Sequence, residues 1–228
     1  MSPLTELNCR PSPYHGDALP TELRGLSQRL IDMMPQECSY PNVHLPSIQS
    51  YYSQSMGNGL QIRLAEHEDA QAIQEIYNNE VRNSTATFDL VERTIEEQKE
   101  WLRKRSGAFS VLVAELDKEV VGFASLSPYK ERAAYRTTVE DSVYVDKNFR
   151  NQGIAGKLLS HLLEVAESSG FHAVIARIGG GNESSISLHK KFGFTIVGTE
   201  KEIGRKFGKW QNVVVMQTIL NASGPEPE

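Results

Sequence analysis

The sequence predicts an α/β protein in which a mixed sheet is flanked by helices. Strand and helix patterns alternate over residues 60–220, which is typical of this class. Two apolar runs, 109–115 and 120–126, are separated by four residues, so we expect an antiparallel hairpin. A long helical pattern lies between strands 138–145 and 172–178, so we also expect one parallel crossover.

The first half of the predicted domain begins with strand 60–64, where Leu and Ile alternate with Gln and Arg. Two helices follow. Residues 70–81 have apolar residues at helical spacing, and 94–105 opens with Thr-Ile-Glu-Glu, a capping pattern. The hairpin 109–126 comes next, because both of its arms are apolar and rich in Val.

The second half begins with a strand that alternates around Val143 and Val145. Apolar residues three or four apart then predict a helix from Ile154 that stops at Gly170. The remaining predicted elements are strand 172–178, helix 182–192 and strands 195–198 and 213–220.

Proline content divides the chain into three parts. Residues 1–58 hold seven of the ten prolines, and we expect an N-terminal extension of unknown role with one amphipathic helix over 19–34. Residues 59–222 hold the alternating patterns and form the predicted domain. Residues 223–228, Ser-Gly-Pro-Glu-Pro-Glu, have the composition of a disordered tail.

Composition argues against several classes of protein. The chain has 228 residues, of which 39% are hydrophobic and 23% charged, as in ordinary globular proteins. The formal net charge of −5 argues against nucleic-acid binding, and no apolar run approaches the ~20 residues that span a membrane. Cys9 and Cys38 are too few to staple the domain. The first ten residues lack the features of a secretory signal, so we expect a cytoplasmic protein.

The segment Arg150-Asn-Gln-Gly-Ile-Ala155 joins a strand to the long helix and predicts an anion site. Gly153 lets a ligand approach the backbone, and the unpaired N–H groups of a helix's first turn attract a pyrophosphate. Neither the dinucleotide fingerprint nor the Walker loop is present. The alternative is a tight turn that needs glycine for its own geometry.

The same segment matches Arg/Gln-x-x-Gly-x-Gly/Ala, the signature of the GNAT superfamily of N-acetyltransferases, and residues 182–194 resemble its second motif. Segments 85–88, 135–145, 187–189 and 204–210 resemble the phosphinothricin and methionine sulfoximine acetyltransferase branch. The resemblance covers about 60–220. It implies the GNAT acyl-CoA N-acyltransferase fold, a mostly antiparallel central sheet, acetyl-CoA as donor, a small amino acid as acceptor and a homodimer.

Two residues are the predicted catalytic groups. Glu140 shares one face of its strand with Ser142 and Tyr144, and the resemblance makes it the general base for the amine. His189 stands where many relatives have an acid for the departing thiolate, a role that a water can also fill. The alternatives are a solvated strand glutamate and a structural histidine.

The resemblance also implies how acetyl-CoA binds. Backbone groups of Val143 and Val145 pair with the pantetheine arm, residues 151–156 hold the pyrophosphate, and Asn182 hydrogen-bonds the arm unless it only caps its helix. The full predicted set is Val143, Tyr144, Val145, Arg150, Asn151, Gln152, Gly153, Ile154, Ala155, Gly156, Asn182 and Ser185.

For the acceptor, Phe88 and Tyr135 are predicted pocket walls and Arg132 the cation for its carboxylate, beside Glu140. The alternative for the last two is a solvated loop. No metal is predicted, because the remaining histidines have no companion ligands at metal spacing.

Three functions remain open. The first is direct acetyl transfer to an amino acid, since no cysteine lies in the predicted domain to carry an acyl group. The second is acetylation of another amine, such as a protein N-terminus, a polyamine or an antibiotic. The third is an acyl-CoA-binding module without turnover, with residues 1–58 as its docking arm.

Overall fold

The computed structural model describes residues 59–105 and 107–220, so the predicted helix at 19–34 and tail at 223–228 lie outside the described residues. The strands are β1 Leu60–Leu64, β2 Leu112–Leu116, β3 Glu119–Pro128, β4 Thr138–Val145, β5 Ala173–Gly179, β6 Thr195–Lys206 and β7 Lys209–Ile219. The α-helices are α1 Ala70–Asn83, α2 Ile95–Arg103, α3 Ile154–Ser168 and α4 Glu183–Lys191.

The strands form one sheet in the order β1-β2-β3-β4-β5-β7-β6. Only β4 and β5 run parallel, and α3 is the crossover that connects them. The other neighbouring pairs are antiparallel, including the predicted hairpin of β2 and β3. The predicted mixed, mostly antiparallel α/β sheet is therefore confirmed.

The last hairpin is longer than the sequence predicted. β6 continues to Lys206 rather than ending near 198, and β7 begins at Lys209 rather than Val213. Nearly every residue of β6 is exposed or half-exposed, so this strand lacks the alternation of buried and exposed positions that marks a strand in sequence.

Helices cover both faces of the sheet. Leu112 packs in the cluster that α3 covers, whereas its neighbour Val113 packs with α1 and α2. Phe123 and Ala124 divide in the same way, and successive residues of a strand point to opposite faces. The core is therefore two apolar layers that hold the central strands rigidly between them.

Two absences concern the described residues alone. None of their helices is both long enough and apolar enough to cross a membrane. Their His, Cys, Asp and Glu side chains form no group of three or more that is able to hold a metal ion.

Gly122 in β3 is a packing constraint, and we expect Gly122→Ala to lower the free energy of unfolding by about 1–3 kcal/mol. Its added Cβ would lie 2.9 Å from the Tyr144 carbonyl oxygen and 3.1 Å from Leu158 on α3. Gly198→Ala in β6 is the matched control, because no atom lies within 4 Å of its added Cβ. Urea unfolding of both variants measures the difference, and equal effects would contradict the constraint.

Candidate active site

A cavity of about 1070 Å³ lies where two neighbouring strands separate. β4 and β5 pair over three residues each, and the last pair is Glu140 with Ile175. Beyond that pair β4 continues to Val145 and β5 to Gly179, and both segments line the cavity. We call this opening between 141–145 and 176–179 the wedge.

The open edge of β4 presents backbone groups to the wedge. The N–H of Asp146 donates to the carbonyl of Val121 at 2.9 Å, on the β3 side. Because successive residues direct their backbone groups to opposite sides of a strand, those of Val143 and Val145 face away from β3. They therefore face the wedge, where β5 no longer pairs with β4.

The turn before α3 supplies unpaired amides at the same cavity. Gly153 adopts a φ of +78°, a left-handed conformation that favours glycine. The N–H of Lys157 bonds back to the Gly153 carbonyl at 3.2 Å, which leaves the N–H groups of residues 154–156 without an intrahelical partner. Glycine thus serves the tight turn, and the turn leaves unpaired N–H groups beside the cavity, as the predicted anion site requires.

Most of the predicted coenzyme residues lie at the cavity wall. Gln152 and Ile154 do not line it. The side chain of Ile154, the first residue of α3, is buried in the core. The predicted residues that line the cavity are Val143, Tyr144, Val145, Arg150, Asn151, Gly153, Ala155, Gly156, Asn182 and Ser185.

Arg150 is held by an ion pair that the sequence did not reveal. Its guanidinium pairs with the buried carboxylate of Glu80 on α1, 70 residues earlier in the chain. Ser84 Oγ donates to the other Glu80 oxygen at 2.5 Å. Arg150 therefore fastens the anion-site turn to α1, and it reaches the cavity as one half of this pair.

A buried lysine anchors the loop after α1, which forms one wall of the cavity. Lys206 is 3% exposed, and its Nζ donates to the carbonyl oxygens of Thr87 at 2.7 Å and Glu80 at 3.3 Å. Burial lowers the pKa of Lys206. The ammonium group of Lys206 thus holds the wall in place through these hydrogen bonds.

Phe88 lies in this wall, in the position that the sequence analysis gave it. Its ring packs on the backbone of Gly179 in β5 and Gly204 in β6, since a Cβ at either glycine would come within 2.8 Å or 2.5 Å of it. Gly180 meets Thr85 in the same way. Glycines at these places let the loop lie directly on the sheet.

Glu140 lies at the narrow end of the wedge, at the last β4–β5 pair. Burial raises the pKa of Glu140, and the nearby charge of Arg177 offsets part of the rise. A carboxyl group with a raised pKa accepts a proton more readily than an exposed glutamate. The position and the environment therefore suit a base.

Arg177 is a cavity residue that the sequence analysis missed. It pairs in bidentate fashion with Glu200, at 3.0 Å from Nη1 to Oε1 and 2.6 Å from Nη2 to Oε2. It is the exposed residue in a strand whose other members are all buried. That single charge in an apolar run, Ala173–Gly179, was the signal available in the sequence.

The structure does not bring Arg132 and Tyr135 to the cavity. Both are exposed in the segment before β4, and neither lines the wall. The Tyr135 ring packs edge-on against Tyr129 at 5.6 Å, with Lys130 nearby. The solvated-loop alternative describes their surroundings.

His189 lies at the cavity with both ring nitrogens engaged. Nδ1 is 2.7 Å from the Ser185 carbonyl oxygen, and Nε2 is 3.0 Å from Asp141 Oδ2. Burial lowers the pKa of His189, but the hydrogen bond and charge of Asp141 outweigh burial, and the pKa is raised. A direct proton transfer from this ring requires one of the two hydrogen bonds to break.

Asn182 caps the N-terminus of α4, which the sequence analysis gave as the alternative to a role in binding. Its Oδ1 accepts from the N–H of Ser185 at 3.1 Å and from Ser184 Oγ at 2.7 Å. It also lines the cavity, so capping and ligand contact do not exclude each other.

A sequence profile of the acetyltransferase (GNAT) domain matches residues 62–215. Phosphinothricin N-acetyltransferase of Streptomyces coelicolor is 37% identical over 68% of this chain and 92% of its own length. The L-methionine sulfoximine/L-methionine sulfone acetyltransferase of Pseudomonas aeruginosa is 35% identical over 73% and 98%.

Two solved structures share the fold. A GNAT phosphinothricin acetyltransferase of Sinorhizobium meliloti, in complex with acetyl-CoA, is 35% identical with a TM-score of 0.70 over 73% of this chain and 93% of its own. A ribosomal-protein-alanine N-acetyltransferase of Brucella melitensis is 41% identical with a TM-score of 0.68 over 70% and 99%.

Proposed function

The chain belongs to the GNAT acetyltransferase family, and we propose that it transfers an acetyl group directly to the α-amino group of a small amino acid or analogue. Acetyl-CoA-dependent N-acetylation comes with the family. Acceptors of the phosphinothricin, methionine sulfoximine and methionine sulfone type are supported by the similar enzymes. The wedge carries the proposal, because it joins an open strand edge, a backbone anion site and Glu140.

Backbone groups bind the donor in this proposal. Acetyl-CoA has an extended pantetheine arm, which suits the open edge of β4, and a pyrophosphate, which suits the first turn of α3. An N–H of Val143 or Val145 also stabilises the negative charge that develops on the thioester oxygen during attack. The predicted backbone role of these two residues rests on their facing the wedge.

Glu140 is the proposed general base. An amino-acid ammonium must lose a proton before its nitrogen attacks the thioester carbon, where a C–N bond replaces the C–S bond. The proton passes to the Glu140 carboxylate, either directly or through a water. The raised pKa of Glu140, caused by burial, favours this uptake.

As the tetrahedral intermediate collapses, the second proton of the attacking nitrogen passes to water, and the departing thiolate takes up a proton from His189 or from water. We favour water, because His189 already shares its two ring nitrogens with Ser185 and Asp141. The predicted cation for the acceptor carboxylate, Arg132, lies outside the cavity lining, and we propose Arg177 in its place. Arg177 lines the wedge and would exchange its bidentate pair with Glu200 for the acceptor carboxylate. Guanidinium groups bind carboxylates in bidentate fashion.

Protein N-terminal alanine is the second candidate acceptor. The observation that favours it is the 41% identity to the ribosomal-protein-alanine N-acetyltransferase, which exceeds the identity to the phosphinothricin enzymes above. Both acceptors present an α-amino group, so Glu140 has the same task in either reaction.

A coupled thiol-release assay with a panel of amines tests the function. We expect turnover with phosphinothricin, methionine sulfoximine or methionine sulfone, and little with polyamines or an alanine-terminated peptide. Turnover with the peptide alone would establish the second candidate. Acetyl-CoA binding by calorimetry without turnover on any amine would establish a non-catalytic module.

We also propose a cytoplasmic homodimer. The cytoplasmic location rests on the low cysteine count and is tested by cell fractionation. The dimer rests on the outer hairpin, where the edge strand β6 and its neighbour β7 leave large apolar side chains exposed. These side chains are Ile196, Val197, Ile203, Phe207, Trp210 and Ile219.

We predict that Glu140→Gln lowers kcat about 100-fold or more, because general-base catalysis commonly contributes that much. Acetyl-CoA affinity by calorimetry is expected to stay near the wild-type value, since the proposed donor contacts are backbone groups elsewhere in the wedge. Glu131→Gln, an exposed glutamate before β4, is the control. Wild-type turnover in Glu140→Gln would remove this residue from the mechanism.

The pH profile of kcat/KM gives an independent prediction. Ionised Glu140 is the active form, and burial raises its pKa above the ordinary 4.5, so activity falls as the pH decreases through a limb above pH 4.5. In Glu140→Gln this limb is expected to vanish, leaving only the limb of the amine near pH ~8. A limb that survives the substitution belongs to another group.

The dimer is tested by sedimentation. We expect the wild type at twice the monomer mass and Ile196→Glu at the monomer mass, because a charge on an apolar interface opposes its burial. Lys201→Glu changes an exposed residue of the same strand and serves as the control. A monomeric wild type would contradict the proposal.

A further inference from the structure

Asp141 occupies the first position of β4 beyond its last pair with β5. Its side chain points to the sheet face opposite Glu140, since neighbouring strand residues alternate. There it meets His189, which lies on α4, the helix that follows β5. A side-chain contact between β4 and α4 thus begins where backbone pairing between β4 and β5 ends.

The contact is almost sealed from water. The His189 and Asp141 side chains are 5% and 2% exposed, and the Phe194 ring packs edge-on against the imidazole at 5.0 Å. The Ser185 carbonyl can only accept, so Nδ1 must carry a proton. Nε2 faces Asp141 Oδ2 at 3.0 Å, and against the cost of burial the hydrogen bond and charge of Asp141 raise the pKa of His189, which favours a second proton on the ring.

The other carboxylate oxygen of Asp141, Oδ1, is buried and has no hydrogen-bond partner among the described residues. A half-satisfied buried carboxylate is costly, and such groups are rare in folded proteins. In the described part of the chain, the side chain of Asp141 therefore forms its one hydrogen bond with His189.

We propose that Asp141 is a positioning residue for the acetyl transfer, acting through His189 to tie α4 to β4 and so fix the separation of these two walls of the cavity. The proposal rests on the proposed function, because the wedge is where the thioester would lie. α4 carries Asn182 and Ser185 at the cavity, and β4 carries Glu140 and the open edge. The tie sets the distance between these two sides.

Nitrogen NMR of histidine-labelled protein tests the pair without any turnover. In the wild type at pH 7.5 we expect both His189 ring nitrogens to be protonated. In Asp141→Asn we expect a neutral ring, because the isosteric amide keeps a hydrogen bond but removes the charge. A neutral His189 in the wild type would overturn the proposal.

Acetyl-CoA affinity and kcat test the positioning. We expect Asp141→Ala to weaken binding about tenfold and to lower kcat, and Asp141→Asn to restore part of both, because without the tie the two cavity walls are no longer held at one separation. Asp117→Asn, an exposed residue of the β2–β3 turn, is the control. Wild-type affinity in Asp141→Ala would overturn the proposal.

The two measurements separate the possible failures. If no amine is acetylated, the NMR and calorimetric results still decide the role of Asp141, and only the proposed function fails. If Asp141→Ala does not fold, the NMR spectrum and coenzyme affinity of Asp141→Asn decide it. A proton-donating His189 would instead show a shifted alkaline limb in Asp141→Asn with unchanged affinity, which also overturns the positioning role.

Discussion

The structure of the site depends on the point where hydrogen bonding between β4 and β5 ends. β4 and β5 stop pairing after Glu140 and Ile175 although both strands continue, and every feature of the candidate site follows from that separation. Backbone groups that a sheet would normally use are left without a strand partner along β4, and of these the Val145 carbonyl accepts from Arg150 Nε at 3.4 Å. The turn before α3, whose unpaired amides are proposed to bind the pyrophosphate, lies at the far end of this edge, and Glu140 lies at the near end. A rigid sheet thus supplies most of the binding groups without using side chains.

Where β4 and β5 no longer pair, side-chain contacts hold the surrounding elements together instead of backbone hydrogen bonds. Three polar contacts, each with at least one buried partner, lie at the cavity or behind its walls: Arg150 with Glu80, Lys206 with the carbonyls of the cavity wall, and His189 with Asp141. Buried charges are costly unless they are paired or hydrogen-bonded, and here each of them joins elements on different sides of the opening. Their value lies less in net stability than in holding a single geometry around an opening.

Features encoded by local pattern were predictable from sequence, and contacts between distant segments were not. The helix start at Gly153 and the strand faces around Glu140 follow from periodicity and turn chemistry. Glu80 and Arg150 meet across 70 residues, and no local pattern indicates such a pair. The position of Arg132 and Tyr135 outside the cavity lining was likewise not predictable, because a family motif gives residue identity but not the path of an exposed loop. Strand alternation places Asp141 on the face opposite Glu140, but it does not reveal that the histidine partner lies on a helix 48 residues later.

An unpaired strand edge usually endangers a protein, since other polypeptides can add to it and extend the sheet. β4 avoids this hazard because it is the fourth of seven strands and its open edge is recessed between the loop after α1 and α4. The recess closes to ordinary strand spacing at Glu140. A narrow, flexible chain fits along the edge. A second β-strand does not, because it carries side chains on both of its faces. The width of the recess therefore limits which molecules reach this edge before any side-chain contact selects among them.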